Sequence, residues 1–137
     1  MTVNELAGQL EREYWRNNRH RLAVGNPPGE DETVAANAYL PTLAKHTARA
    51  GVRFAKRHRG NRLDQTPAVS VVQSVVHEAE AKMRRDPECG IVLETIAALV
   101  IRSLLENLAW RLALWLLSES AHDERADLLC RMEVDNA

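Results

Sequence analysis

The sequence predicts an all-α protein, a single-domain bundle of about five helices around one long apolar helix near residues 91–117. Three observations predict it. Residues 91–117, IVLETIAALVIRSLLENLAWRLALWLL, hold 20 apolar residues in 27 with no Pro or Gly. On a helix, Leu93, Ile96, Val100, Leu104, Leu108, Leu114 and Trp115 cover most of the circumference, and a helix apolar nearly all round must be buried. Elsewhere apolar residues recur at helical spacing, while the six Gly and five Pro in 137 residues are too few for the turns of a β-sandwich. At this length one domain can bury about two-thirds of its unfolded surface.

The elements follow in order. Thr2-Val3-Asn4-Glu5 has the form of a capping box, so helix 1 starts there, buries Val3, Leu6, Leu10 and Tyr14, and runs to about Arg19. Gly25-Asn26-Pro27-Pro28-Gly29 breaks the chain. Glu30, Asp31 and Glu32 suit the N-terminus of helix 2, whose dipole favours negative charge. Pro41 either kinks that helix or opens a further one, and helix continues to about Arg59, before Gly60-Asn61. Thr66-Pro67 reads as an N-cap and first helical residue, followed by Val69, Val72, Val76, Ala79 and Met83 on one face, widened by Val71 and Val75. Asp86-Pro87 repeats that logic and opens the long apolar helix. Its weak line is Thr95, Ala98, Arg102, Glu106, Ala109 and Ala113. Ser118–Ser120 breaks the chain again, and Ser120-Ala121-His122-Asp123 caps a last helix carrying Leu128, Leu129 and Met132.

Composition excludes several classes. Glu94, Arg102, Glu106 and Arg111 interrupt the apolar run, and each charge would cost roughly 2.5–3.5 kcal/mol at a bilayer centre, so no membrane role is expected. The opening MTVNELAGQLERE lacks the basic-then-apolar order of a secretory signal. Cys89 and Cys130 make neither a disulfide framework nor a metal spacing, and a cytoplasmic setting is expected. The net charge of −1 conceals segregation: residues 33–63 carry seven Lys/Arg and no acid, whereas residues 119–137 carry six acids and two Arg.

The sharpest functional feature is that basic segment. At 100° per residue, Lys45, His46, Arg49, Arg53, Lys56 and Arg57 share an arc of about 120°, with Leu43, Ala44, Ala48, Ala50, Phe54 and Ala55 opposite. Such a stripe can meet an acidic protein surface or follow phosphates. It can equally be a solvated face, neutralised within the molecule by Asp123, Glu124 and Asp127. A second candidate is Trp15, which lies opposite the apolar face of helix 1 between Arg12 and Arg19, the composition of an interface hot spot unless helix 1 packs on two sides.

Arg53-Phe54-Ala55-Lys56-Arg57-His58 resembles the R-x4-6-H pattern of HEPN ribonucleases, an all-helical family whose Arg and His assist RNA cleavage at a dimer interface. The resemblance covers six residues. Phe54 stands where the family carries a polar residue, and the two side chains would lie about 140° apart. It is not adopted. His77, Glu80 and Arg84 line the polar side of their helix, with Glu80–Arg84 an i,i+4 pair, and supply too few ligands for a metal. There is no Gly-rich phosphate loop and no nucleophile elbow.

With no catalytic constellation and no cofactor motif, the sequence points to a non-enzymatic interaction protein: a small regulator, adaptor or inhibitor. It would bind a protein with an acidic surface through Lys45, Arg49, Arg53, Lys56 and Arg57, with Trp15, Arg12 and Arg19 as a second patch. The alternative is a nucleic-acid binder using the same stripe. Any face left bare on the apolar helix would suit a homodimer.

Overall fold

Thr2 starts the first helix as the sequence predicts. Its hydroxyl accepts the Glu5 amide at 3.1 Å, and its carbonyl takes the Leu6 amide at 3.0 Å. In the computed structural model the described residues are 1–23, 30–58, 66–86, 95–118 and 122–134, with side chains placed for all of these except 19–23, 30–32, 95–97 and 122–123. They form α1 (Val3–Ala23), α2 (Glu30–Arg57), α3 (Ala68–Arg85), α4 (Thr95–Leu116) and α5 (His122–Arg131), with no strand among the described residues. No helix among them is long and apolar enough to cross a membrane.

Several element boundaries differ from expectation. Pro41 lies inside a continuous α2 and on its exposed side. The hydrogen bond it cannot donate would go to the carbonyl of Asn37, also exposed, where water can take its place. Pro67, not Thr66, is the N-cap of α3; its carbonyl receives the amides of Ser70 and Val71 at 3.0 and 3.4 Å. Asp86 closes α3 in extended conformation, its amide bonded to the Met83 carbonyl, while Pro87, expected to open the apolar helix, lies outside the described residues. The break at Gly25–Gly29, Gly60-Asn61, the 91–94 part of the apolar run and the cap at Ser120-Ala121 lie outside the described residues.

The centre of the bundle is shared between α2 and α4. Both touch every other helix, and their mutual packing is the most extensive. α2 is the more enclosed: from Leu43 to Ala55 every residue is buried except Lys45, Arg49 and Arg53. Its small residues make this possible. A Cβ added at Gly51 would run into the Leu112 side chain of α4, so the two backbones approach there as only glycine allows. Thr47, fully buried, turns its hydroxyl back to the Leu43 carbonyl at 2.8 Å and leaves no polar group unsatisfied.

α4 is not apolar-buried all round. Its inner side is Ile101, Leu104, Leu105, Leu108, Ala109, Leu112, Ala113 and Leu116. Ala109 and Ala113, expected on the weak line, are fully buried because small residues let α4 lie close to its neighbours. Leu114, by contrast, is exposed, as are Leu99 and Trp110. On α3, Val69 is exposed while Val71, Val72, Val75, Val76, Ala79 and Met83 are buried, so the inner face is centred between the two valine pairs. Arg125 of α5 ties down the end of α4. Its guanidinium donates to the Trp115 carbonyl at 2.7 Å and to the Ser118 hydroxyl, and lies 5.6 Å from the Trp115 ring centroid. The Cys130 thiol donates to the Ala55 carbonyl at 3.3 Å, joining α5 to α2.

Candidate functional site

Because α2 is buried on every other side, the basic stripe is the only part of its C-terminal half that reaches the surface. Lys45, Lys56 and Arg57 are exposed and Arg49 and Arg53 half-buried. His46, placed in the same arc by helical periodicity, is instead buried at 8% exposure. Burial first, and then the Arg49 guanidinium, hold its imidazole below the ordinary 6.5; Asp86 opposes this and Arg53 adds to it.

The acids that answer the stripe come from α3. Glu78 bridges Arg57 at 2.8 Å and Arg53 at 3.8 Å, where an acidic tail at Asp123, Glu124 and Asp127 was expected. Glu124 and Asp127 are exposed on α5 and the Asp123 side chain lies outside the described residues. The sequence gives no hint of this pairing, since Glu78 lies 21 residues from Arg57 and its helix was read for His77 and Glu80.

Pairing of Arg57 with Glu78, and the influence of Asp86 on His46, set α2 and α3 antiparallel along this face. Lys82 and Arg85 of α3 share a groove with Arg57 and so extend the stripe into a two-helix surface. Arg57, Lys82 and Arg85 line a shallow groove of about 370 Å³ together with Ser74, His77 and Glu78. Seven cations (Lys45, Arg49, Arg53, Lys56, Arg57, Lys82 and Arg85) thus face two acids, Glu78 and Asp86. Lys82 and Arg85 were legible as charges at the end of a helix, but their junction with α2 is a tertiary fact.

A second cleft, about 530 Å³, separates α3 from α4 and is lined by Gln73, Ser74, His77, Glu80, Arg102 and Glu106 above Val72 and Val76. Glu80 pairs here with Arg102 at 3.8 Å rather than with Arg84, and Arg102 also meets Glu106 at 3.4 Å. Arg102 and Glu106 are exposed, so this pair contributes little to stability. Among the described residues no group of three or more His, Cys, Asp or Glu could hold a metal.

No family model, no curated protein and no solved structure matches this chain.

The remaining candidates separate. Trp15 is half-buried against the core and sits edge-on to Tyr14, ring centroids 5.3 Å apart, so α1 packs on two sides. Arg12 lies over Gly8, one turn toward the N-terminus and away from the Trp15 indole, and the Arg19 side chain is outside the described residues. Trp15 therefore takes part in the packing of α1 rather than standing clear of it. His58 stacks on Phe54 with centroids 4.2 Å apart while Arg53 turns to Glu78, so the two residues of the R-x4-H pattern do not converge.

Proposed function

We propose that this protein acts by binding, without catalysis of its own, and that its partner is a protein presenting an acidic surface to the α2–α3 face. The observation that carries this is the surplus of cations on one continuous face. Lys45, Lys56, Lys82 and Arg85 are exposed beside two arginines whose fork is held in place by Glu78. A guanidinium already ordered by a neighbouring acid loses less freedom on meeting a second carboxylate. The face also carries acids of its own, Glu78 and Asp86, which would repel a row of phosphates but suit a protein surface bearing both signs. A nucleic-acid target remains the competing reading of the same stripe.

The test uses Lys45→Glu/Lys56→Glu, since both lysines are exposed and form no ion pair with the described residues. Partners captured from the native host with nuclease treatment should be lost by this variant while its melting temperature holds. Retention of the partner by the folded variant would remove the face from consideration. Capture abolished by nuclease, with affinity falling at a log–log slope near −0.9 per phosphate neutralised on duplex DNA, would establish the nucleic-acid reading instead.

A further inference from the structure

The groove of about 370 Å³ on the cationic face is lined by one stripe of α3, Ser74, His77, Glu78, Ala81, Lys82 and Arg85, with Arg57 of α2 entering from the side. The α3 positions recur at i+3 and i+4, so they follow one another along a single face of the helix. The lining holds three cations, Arg57, Lys82 and Arg85, and one acid, Glu78. Glu78 is already engaged. Its side chain is 15% exposed, one oxygen takes Arg57 at 2.8 Å and the other faces Arg53 at 3.8 Å. The groove therefore keeps a surplus of positive charge, held in a concavity that concentrates its field.

Spacing along α3 lets that charge converge. Glu78, where Arg57 is anchored, and Arg85 lie about 10 Å apart along the axis at 1.5 Å per residue, with Ala81 between them. The Ala81 methyl leaves the middle of the groove open, within a side-chain length of all three cations. Lys82 and Arg85 are exposed and form no ion pair with the described residues. The dipole of α3 favours any cation in its last turn, and Arg84 serves it too, but on another side, beside Ala98 and Ile101. Lys82 and Arg85 differ in sharing their groove with a cation from a second helix.

We propose that this groove receives a phosphorylated serine or threonine side chain of the partner, which rests on the protein-binding reading of the α2–α3 face. A phosphomonoester carries about −1.5 to −2 charge at pH 7 and three strong acceptor oxygens, so it can answer Arg57, Lys82 and Arg85 together. A carboxylate has one charge and two oxygens. Paired with one guanidinium, it leaves the other two cations unmet. A nucleic-acid strand brings one charge per phosphodiester and calls for a row of cations, whereas this groove carries Glu78 among them. Arg57 is ordered in advance by Glu78, so less of its freedom is lost when the phosphoryl group arrives. Toward the N-terminal end of the groove, Ser74 and His77 offer a hydroxyl and a ring N–H to the carbonyls of the segment that bears the phosphate.

The test titrates three probes into the isotopically labelled full chain and follows them by nuclear magnetic resonance. A blocked pentapeptide with phosphoserine between alanines should shift the signals of Ala81, Lys82, Arg85 and the Arg57 side chain saturably in the millimolar range. The same peptide with glutamate in place of phosphoserine should bind about tenfold more weakly or worse, as should dimethyl phosphate. Lys82→Gln/Arg85→Gln, at two exposed positions, should weaken the phosphopeptide by about tenfold while the melting temperature holds. No saturable shift, equal affinity for the glutamate peptide, or indifference to the double variant would each overturn the proposal. Dimethyl phosphate binding as well as the phosphopeptide would overturn it too and assign the groove to nucleic acid. Capture from the native host separates this claim from the one beneath it. A partner lost by Lys45→Glu/Lys56→Glu but retained after phosphatase treatment would remove the phosphoryl site and leave the acidic-protein reading standing, whereas retention by Lys45→Glu/Lys56→Glu would remove both.

Discussion

His46 belongs by helical phase to the cationic arc, yet it is the one member turned inward, and its chemistry follows from that. Burial and the Arg49 and Arg53 guanidiniums disfavour its protonation more than Asp86 favours it, so its folded pKa lies below 6.5. The unfolded chain then takes up this proton first as pH falls. Above the unfolded value both states are neutral and nothing is lost. Below it stability declines, by at most about 1.4 kcal/mol per pH unit for one group, until the folded pKa is passed. Melting temperature should therefore fall as pH drops below 6.5, and His46→Gln should flatten this part of the profile relative to wild type. An unchanged slope in the variant would mean that other groups carry it. Periodicity could place His46 in the arc but could not turn it inward, because burial depends on which helices pack beside α2.

At the scale of elements, the contact of α2 with α4 decides the architecture. Gly51 lies inside α2, where by helix propensity alone alanine would be favoured by about 1 kcal/mol. Its surroundings reverse that expectation, since an added methyl meets Leu112, itself fully buried with no room to retreat. Gly51→Ala should destabilise the protein by about 1–3 kcal/mol net, as overpacking does, measured by denaturant midpoint. A stabilised variant would show that α2 and α4 lie farther apart. The alanines of both helices tell the same story. Ala109 and Ala113 look like a weak line in an apolar helix, and their burial makes sense only once α4 has neighbours close enough to need small residues there. Conversely, Leu99 and Leu114 look like core by composition and are exposed, because four neighbours do not surround a whole helix.

For the whole molecule, every helix packs on α2 and α4, with α5 fastened at both Trp115 and Ala55. No helix has a separate core, so unfolding should be a single event. Far-UV circular dichroism and tryptophan fluorescence should give coincident denaturation curves, Trp15 reporting on α1 and Trp110 and Trp115 on α4. Separated midpoints would reveal two independently folding parts.

What the sequence determined by itself is whatever depends on neighbours along the chain: helical class, five elements, the Thr2 cap, the apolar face of α1 and the clustering of five cations on one side of α2. These rest on hydrogen bonds and periodicities spanning a few residues, and local order encodes them. The tertiary structure decided everything that joins distant segments. Glu78 is the acid for Arg53 and Arg57, Lys82 and Arg85 extend the cationic face, Trp15 is drawn into the packing, and one side of α4 is left bare. Each depends on which helices lie side by side and at what separation. That is set by packing volume over the whole core, with Gly51 and the alanines fixing the closest approaches, and no short window of sequence contains it.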